Sequence, residues 1–310
     1  MAQVSAAPPP GISLRGSAGR RRRESLVRAV FLTAAVSTVI VSAFIVWTVL
    51  AEAISFLQQI DLSQLVGIGW FPRRGIFDIA TLIIGTFIVT VIAMAIATPV
   101  GLFSAIYLSE YATPRVRRTI KPVLEVLAGI PSVVLGFFAL TVITPDFLKP
   151  IFGGQISAFN LAAAGIGVGI LSVPLVASVS EDAMAAVPRS LREASYGLGA
   201  KKVTTSLRVV FPAAISGIVA ALILATSRAI GETMVVAVAG GAPQARTWNP
   251  LSPGGTMTSA MVQLATGSDQ VTGNTAAFQS LFFVGLLLFL ITLLLNVVGD
   301  AFVRRARQRY

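Results

Sequence analysis

The sequence contains no cysteine, no histidine and few charged residues, and each of these absences excludes a class of chemistry. Without cysteine there are no disulfides and no thiol nucleophiles, and without histidine as well, the usual zinc sites and imidazole acid–base catalysis are excluded. Charged residues make up only 12 % of the 310 residues and hydrophobic residues 55 %, and the mean hydropathy is +0.82. This balance predicts an integral membrane protein.

Long apolar runs indicate the fold class. A membrane-spanning helix needs roughly 20 predominantly apolar residues. Six segments meet this length, and none alternates polar and apolar residues with the period of two that a β-barrel requires. The sequence therefore predicts an all-α integral membrane protein with six transmembrane helices, at Ala29–Leu50, Ile79–Leu108, Lys121–Thr144, Ile156–Ser180, Val209–Ala239 and Thr275–Gly299.

The basic residues predict the orientation of these helices. Of the 24 lysines and arginines, 19 flank the spans on one side, four lie on the other side, and Arg228 lies within the fifth span. Cytoplasmic loops are the ones enriched in Lys and Arg, so both termini are expected in the cytoplasm. A net charge of +11 would suggest nucleic acid as the partner of a soluble protein, but charges placed beside apolar spans favour the cytoplasmic membrane surface instead.

The N-terminal region resembles a cleaved targeting signal. Residues 20–32 read RRRRESLVRAVFL, and the AEA of residues 51–53 has the form of a cleavage site. The apolar run of 22 residues is longer than the core of a signal peptide, which has about 7–15 residues, so an uncleaved first helix is the better interpretation. We therefore expect a disordered basic cytoplasmic tail (1–28), a six-helix transmembrane domain (29–303) and a short basic cytoplasmic tail (304–310).

The predicted cytoplasmic loop before the fifth span contains a short helix. Ser190 and Glu193 have the S-x-x-E spacing of a capping box, which would start a helix just after Pro188. Gly197 and Gly199 would end it. Between these limits lies an apolar stripe about two turns long, formed by Leu191, Ala194, Ser195 and Leu198. Either Glu193 merely caps a loop helix, or a partner protein grips this compact segment.

A longer pattern favours the partner. The segment resembles the E-A-A-x-x-x-G-x9-I-x-L-P signature of the membrane subunits of ATP-binding-cassette importers, with Ser for the second Ala, Val for Ile and Phe for Leu. The resemblance implies the type I, MetI-like transmembrane domain of this family. It also implies that the loop 181–208 holds the coupling helix, which inserts into a cleft on the ATPase subunit. The residues that it assigns to ATPase coupling are Glu193, Ala194, Ser195, Gly199 and Pro212.

The chain lacks an ATP-binding motif of its own. The P-loop pattern G-x-x-x-x-G-K-[ST] occurs nowhere, and in GLGAKK at residues 197–202 the glycines and lysines stand in the wrong order. We therefore expect a transport subunit and not an enzyme, with no cofactor and no metal, which depends on a separate ATPase.

Three longer stretches, at 108–140, 178–200 and 227–241, resemble the permeases of phosphate-specific importers. GETMVVAVAGG at 231–241 and LLNVVGDAFVRR at 294–305 are more similar to the PstC type than to its PstA partner. The resemblance, with a family core at about 79–300, implies that phosphate crosses the inner (plasma) membrane by alternating access. It implies as partners a homologous PstA-like permease in a heterodimer, two copies of a PstB-like cytoplasmic ATPase, a PstS-like extracytoplasmic phosphate-binding protein and the lipid bilayer, and no nucleic acid.

Arg228, a charged residue within the fifth predicted span, is a candidate for substrate binding on physical grounds as well. A charge at the centre of a spanning helix costs about 2.5–3.5 kcal/mol on insertion scales and is a functional candidate for that reason. An arginine fork can donate two parallel hydrogen bonds to phosphate oxygens. Glu232, expected one turn further on the same face, could neutralise the arginine or accept a hydrogen bond from protonated phosphate. In the family, the Arg and Glu of this R-x-x-G-E stretch are regarded as necessary for transport. The alternative is an ion pair that only holds packing.

Helix breakers indicate candidate hinges. Gly129, Pro131 and Ser132 are expected to break the third helix, and Pro99 and Pro174 to break the second and the fourth.

Two further patterns allow simple interpretations. Lys121 and Glu125 have the i,i+4 spacing of an ion pair on one helix. The polar connection 240–274 contains TMTSAMVQLA, which could form a short amphipathic helix with Met257, Ala260, Met261 and Leu264 on one face. This connection is either a solvated loop or a docking surface at the mouth of a pathway.

Several alternatives remain open from the sequence. Within the importer class they are a PstA-like permease and permeases for sulfate, molybdate or phosphonate, because one arginine does not distinguish tetrahedral oxyanions. In another class stands a secondary transporter or channel, for which Glu125 and Glu232 are the only intramembrane acids. A membrane enzyme is disfavoured because the spans lack histidine, cysteine and clustered carboxylates.

Overall fold

The computed structural model describes residues 18–243, 245–267 and 275–307. Within these ranges the protein is mainly helical, with one hairpin of two short antiparallel strands, β1 (Trp70–Phe71) and β2 (Ile76–Phe77). The helices are α1 (Ala18–Gln59), α2 (Ile79–Ile106), α3 (Pro114–Ala128), α4 (Ser132–Phe138), α5 (Lys149–Phe152), α6 (Leu161–Ala185), α7 (Arg189–Gly197), α8 (Lys202–Thr205), α9 (Phe211–Ala213), α10 (Ile215–Ile230), α11 (Met234–Ala239), α12 (Met257–Thr266) and α13 (Thr275–Arg307). Wider π turns follow α2, α4 and α8 at Tyr107–Tyr111, Ala139–Leu148 and Ser206–Val210.

Five helical stretches among the described residues are long and apolar enough to cross a membrane, and a sixth results if a bent pair of helices is taken as one span. The five are Arg22–Gln59, Ile79–Tyr111, Ser132–Gln155, Leu161–Ala185 and Ala276–Arg305, and the bent pair is Lys202–Ala213 with Ile215–Ile230. The predicted class, a helical multi-pass membrane protein, is confirmed at this level.

The chain divides into two units, residues 1–49 and 50–310. In the first, α1 already begins at Ala18, and its side chains are exposed from residue 22 to residue 47. The prediction that residues 18–28 are disordered is therefore wrong. Arginine is a good helix former, so a helix nucleated in the apolar run extends into the basic segment at little cost. At the other end α13 continues to Arg307; residues 1–17 and 308–310 of the predicted tails lie outside the described residues.

The predicted third span, Lys121–Thr144, is wrong in its bounds. Its first part belongs to α3, an amphipathic helix without a buried residue, and the apolar stretch begins only at Ser132. The break at Gly129–Ser132 is confirmed, because α3 ends at Ala128 and α4 begins after Pro131. Proline has no backbone N–H and restricts the residue before it to extended conformations, so the two helices cannot merge here.

The centre of the second unit is the pair α2 and α6, which pack against each other more extensively than any other two helices described. Glycines allow this approach. A Cβ added at Gly165 would lie 2.7 Å from Cβ of Ile92, and one at Gly101 would lie 2.7 Å from Cβ of Val176. Because real Cβ atoms do not approach so closely, Gly165 of α6 and Gly101 of α2 set the distance between the two helices.

Both helices pass through their prolines without a break. α2 contains Pro99 and α6 contains Pro174, so the prediction that these prolines interrupt the helices is wrong. The hydrogen bond that a proline removes is offset here by extensive packing of the helix. α6 also begins five residues later than the predicted Ile156, because the Asn160 side chain accepts a hydrogen bond from the Ala163 amide at 2.7 Å and caps the helix there.

The N-terminal end of α2 is held by a bidentate ion pair. The fully buried Asp78 carboxylate accepts hydrogen bonds from Arg246 Nε (3.1 Å) and Nη2 (2.8 Å) and from the Thr81 hydroxyl (2.7 Å). Burial alone would raise the pKa of Asp78, but the hydrogen bonds from Arg246 and Thr81 and the positive charge of Arg246 together lower it below its usual value. Arg246 Nη2 also donates to the Gly67 carbonyl at 2.8 Å, which joins the hairpin region to the loop after α11.

Candidate functional site

α7 is the helix that the sequence predicted after Pro188, but it begins differently. Its N-cap is Pro188, with an extended backbone (φ −56°, ψ 139°), and no side chain caps the helix. The predicted capping box of Ser190 and Glu193 is therefore wrong. Because Pro188 already has the non-helical conformation that an N-cap requires, the helix starts at Arg189 and Ser190 lies inside the first turn.

The C-terminal end of α7 is a Schellman motif built around Gly199. Gly199 has φ +79°, its amide donates to the Tyr196 carbonyl at 2.9 Å, and the Ala200 amide donates to the Ser195 carbonyl at 3.1 Å. A Cβ at Gly199 would meet nothing within 4 Å, so it is the left-handed backbone that favours glycine here. This explains in physical terms why a glycine stands at this position of the signature.

The inner face of α7 is fixed by Arg192. Its guanidinium donates to Glu110 Oε1 from Nε (3.3 Å) and Nη2 (2.9 Å), to the Val187 carbonyl from Nη1 (2.6 Å) and to the Met184 carbonyl from Nη2 (2.8 Å). The side chains of Arg192 and Glu110 are 17 % and 4 % exposed. The two carbonyls lie at the C-terminal end of α6, where the last carbonyls lack their usual amide partners four residues on, and the Met184 carbonyl also accepts from the Val187 amide at 3.2 Å.

Two neighbouring contacts support the same arrangement. The hydroxyls of Ser195 and Thr205 are 2.9 Å apart, which joins α7 to α8. The Lys202 ammonium lies 4.9 Å from the ring centroid of Tyr111, at the end of the π turn that follows α2.

The outer face of α7 is open. Glu193 and Ala194 are exposed, and Leu198 is 90 % exposed. The predicted apolar stripe is therefore not a core-facing stripe: of its residues only Ser195 is half-buried, since Arg192 occupies the position that faces the bundle. α7 has no buried residue and exposes a carboxylate, Glu193, together with the apolar side chains of Leu191 and of its C-cap Leu198. A surface of this kind is suited to a partner.

The predicted fifth span is divided into several pieces. Pro212 lies in α9, and the chain bends by 70° between Lys202–Ala213 and Ile215–Ile230. A second break separates α10 from α11 at residues 231–233. The prediction of one continuous helix from Val209 to Ala239 is therefore wrong.

The second break separates the two residues predicted to line a substrate path. Arg228 lies in the last turn of α10 and is exposed, whereas Glu232 lies beyond the helix end and is half-buried. Glu232 Oε1 accepts a hydrogen bond from the Val235 amide at 3.4 Å, at the start of α11. The two residues do not share a helical face, and the ion pairs of the described residues include none between them. The ion-pair alternative for Arg228 and Glu232 therefore finds no support in this conformation.

Polar groups surround the break. The Thr258 hydroxyl donates to the Glu232 carbonyl at 2.7 Å, and the Thr86 hydroxyl accepts from the Met257 amide at 3.0 Å. On the other side of Arg228, the Ser227 hydroxyl donates to Asn296 Oδ1 at 2.8 Å. A helix break with hydroxyl groups close to it can accommodate a polar solute.

α12 confirms the predicted amphipathic helix within the connection 240–274. Met257, Ala260 and Leu264 are buried and Met261 is half-buried. A capping box between Thr256 and Ser259 starts the helix. The first residues of α12 are buried, so this part is not a solvated loop; residues 244 and 268–274 of the connection lie outside the described residues.

The i,i+4 spacing of Lys121 and Glu125 suggested an ion pair between them, but Lys121 pairs with other residues. Its ammonium contacts Glu181 Oε2 at 2.9 Å and also Asp182, and Arg117 pairs with the same buried Glu181. The hydrogen bond to Asp182 raises the pKa of Lys121. This cluster fastens α3 to the C-terminal end of α6.

Sequence reasoning missed the role of Arg192 and the residues Glu110 and Glu181. Arg192 precedes the signature glutamate directly, and Glu110 follows an uncharged span of 28 residues at Ile79–Ile106. A lone carboxylate at the end of such a span and an arginine in the predicted cytoplasmic loop form a pattern that could have suggested their pairing.

Known proteins that are similar to this chain are membrane components of transport systems. A family described as "Binding-protein-dependent transport system inner membrane component" matches residues 97–310. Phosphate transport system permease protein PstC of Xylella fastidiosa (strain Temecula1 / ATCC 700964) is 30 % identical over 302 residues, which cover 90 % of each chain. Phosphate transport system permease protein PstA 1 of Mycobacterium tuberculosis (strain ATCC 25618 / H37Rv) is 33 % identical over 219 residues, 71 % of this chain and 68 % of that protein. Probable ABC transporter permease protein YqgH of Bacillus subtilis (strain 168) is 36 % identical over 63 % of each chain.

Solved structures share the fold. The MetNI methionine ABC transporter in an inward-facing conformation matches with a TM-score of 0.53 and 22 % identity over 74 % of this chain and 94 % of that chain. A bacterial alginate ABC transporter matches with a TM-score of 0.63 and 13 % identity over 92 % of this chain and 96 % of that chain.

Proposed function

The chain belongs to the family of binding-protein-dependent transport system inner membrane components, and from this premise we propose that it is a permease subunit of an ATP-driven phosphate importer. The observation that carries the proposal is α7, a helix with an open outer face that is held from behind by Arg192. A surface of this kind serves a transporter whose energy comes from another subunit.

Phosphate as the substrate is supported by the names of the relatives. Proteins named PstC are 28–30 % identical over about 90 % of the chain, whereas PstA 1 aligns over 71 %. The broader coverage favours the PstC role in a heterodimer with a PstA-like permease. Two PstB-like ATPases would bind the cytoplasmic side, and a PstS-like protein would deliver phosphate from outside.

The proposed location is the inner membrane. The proposed topology has six spans, with both termini in the cytoplasm. The bent pair Lys202–Ala213 and Ile215–Ile230 would count as the fifth span. The Lys/Arg distribution supports this orientation, which places the loop 181–208 and α7 on the cytoplasmic side.

The proposed roles of the site residues follow from this topology. Glu193, Ala194 and Gly199 would meet the ATPase, with Ser195 and Pro212 supporting the helix from behind and at the bend. Arg228 would contact phosphate in the path, since its guanidinium is exposed and is not paired with Glu232. Glu232 would act separately, at the helix break, as an acceptor for a protonated phosphate.

Uptake of labelled phosphate by phosphate-starved cells that lack their own phosphate permease genes tests the function. The cells receive this chain with its partner subunits, or the same set with Glu193→Ala and Gly199→Ala, at matched membrane levels. We expect uptake that excess sulfate and molybdate do not suppress, and loss of uptake in the double variant. Suppression by sulfate or molybdate would overturn the substrate, and full uptake by the double variant would overturn the coupling surface.

A further inference from the structure

The contacts of Arg192 join the coupling helix to two other elements, of which one precedes it directly in sequence and the other lies 82 residues away. Arg192 lies on α7, Glu110 lies at the end of the π turn that continues α2, and the carbonyls of Met184 and Val187 lie at the end of α6. The chain itself connects α7 only to α6 and α8. The Arg192 side chain therefore adds a connection to α2 that the covalent backbone does not supply.

The geometry of this connection is suited to transmitting force. Arginine presents a rigid planar fork, and charge-assisted bonds to a nearly buried carboxylate are stronger than neutral hydrogen bonds. Glu110 Oε1 also accepts from the Ser109 hydroxyl at 3.1 Å, which fixes the acceptor itself. α2 in turn packs extensively on α6 through glycine contacts, so a displacement of α7 would move this pair as one body.

We propose that Arg192 and Glu110 form a positioning pair that makes α2 move with the coupling helix, so that ATPase closure reaches α2 directly and not only along the chain through α6 and α8. The inference rests on the proposed function. It assigns a role in energy coupling to two residues that touch neither substrate nor nucleotide.

The first test measures ATP hydrolysed per labelled phosphate transported, by the complete transporter in proteoliposomes. Arg192→Lys keeps the charge and removes the fork, and Glu110→Gln keeps the shape and removes the charge. We expect each variant to raise the ratio several-fold while the ATPase still co-purifies. Because the residues act as a pair, we expect the double variant to be no worse than the poorer single variant.

A matched control comes from the exposed pair on α13, Arg304 and Asp300, whose charged atoms are 2.8 Å apart with both side chains more than 60 % exposed. Arg304→Lys and Asp300→Asn should leave the ratio unchanged. If the Arg192 and Glu110 variants lower the melting temperature but keep the wild-type ratio, the pair is only structural and the proposal is wrong. Additive effects of the two substitutions would contradict it as well.

A distance measurement separates this inference from the choice of substrate. The chain has no cysteine, so spin labels at Phe103→Cys on α2 and Ser190→Cys on α7 would be the only labels in this subunit. With Arg192 present, we expect the same distance between the labels without nucleotide and with bound ATP, whereas Arg192→Lys should let the distance change. A nucleotide-dependent distance in the protein with Arg192 would overturn the pair's role, even if phosphate proved to be the wrong substrate.

Discussion

α6 and the run from α8 to α11 are both apolar, yet one is a single helix and the other is divided. α6 continues for 25 residues through Pro174, and 67 % of its most apolar window is buried. The run from Lys202 to Ala239 contains a π turn, a 70° bend after Ala213 and a non-helical stretch at 231–233.

The difference indicates a division of labour. An unbroken helix satisfies most of its backbone groups internally and suits a scaffold. Helix breaks within a bundle leave backbone groups and helix ends that can face a solute, and they allow one part to move relative to another. On this view α6 and its partner α2 hold the shape of the bundle, while the divided run carries Arg228 and Glu232. Substitutions in the scaffold should affect stability, and substitutions in the divided run should affect transport.

The largest effect should come from Arg228→Gln in the divided run. A hydrogen bond to a charged group contributes about 1.5–3 kcal/mol, so transport should fall by roughly 10- to 100-fold. The melting temperature should not change, because Arg228 is exposed and unpaired with Glu232. Phosphate uptake by proteoliposomes and a thermal unfolding curve give the two readouts, with the exposed Arg115→Gln as the control. Normal transport by Arg228→Gln, or a lowered melting temperature, would mean that Arg228 supports the fold and does not contact phosphate.

Gly165→Ala should have the opposite effect, lowering stability and not transport. The new methyl group would overlap Ile92, and overpacking of this kind typically costs about 1–3 kcal/mol. We expect a lower melting temperature, with unchanged affinity for phosphate in the fraction that remains folded. Gly154→Ala is the matched control, since a Cβ there meets nothing within 4 Å. Equal melting temperatures for the two variants would show that the α2–α6 contact tolerates a wider spacing.

A smaller effect is expected at the end of α7, the proposed coupling helix. Gly199→Ala forces alanine into left-handed backbone, at a cost of about 1–2 kcal/mol, whereas Gly197→Ala lies inside α7 with open space around it and should favour the helix. Binding of the purified ATPase subunit to the permease pair should weaken in the first variant and stay equal or strengthen in the second. The same affinity for both variants would mean that the cap of α7 does not matter for docking.

The smallest effect concerns Asp78 and depends on pH. Because its folded-state pKa is lowered, the pair with Arg246 stabilises the fold above the unfolded pKa, which is about 3.9, and this stabilisation is lost as the pH falls through the folded pKa. The melting temperature of the native protein minus that of Asp78→Asn should be positive at pH 7 and should shrink below about pH 4. A difference that stays constant down to pH 3 would contradict this assignment.

Much of the helical fold could be predicted from hydropathy alone. Span length and period are local properties, and the second span agrees with the structure nearly to the residue. The bounds failed where a local rule competed with packing. Pro174 breaks an isolated helix but not one packed along α2. One continuous span over Val209–Ala239 overlooks the polar residues Gly231, Glu232 and Thr233, where the helix is interrupted.

The candidate site could be predicted only in part, for a related reason. The signature located α7 and its terminal glycine, because the C-terminal end of this helix depends on a single residue, Gly199, in left-handed backbone. The carboxylate partners of Arg192 and Lys121 lie about 60 to 80 residues away, so a motif within one segment does not identify them. The prediction that Arg228 and Glu232 share a helical face failed because their spacing indicates a shared face only if the helix continues between them.

α7 contains no buried residue, and this determines how the proposed coupling surface becomes ordered. An element without a buried residue, held to the bundle mainly by the hydrogen bonds of one side chain, opens locally at a free energy below that of global unfolding. A partner that binds only the closed form raises that opening free energy through mass action. The backbone amides of residues 189–197 should therefore exchange with solvent quickly in the isolated permease and slowly in the assembled transporter, while those of α6 remain protected in both.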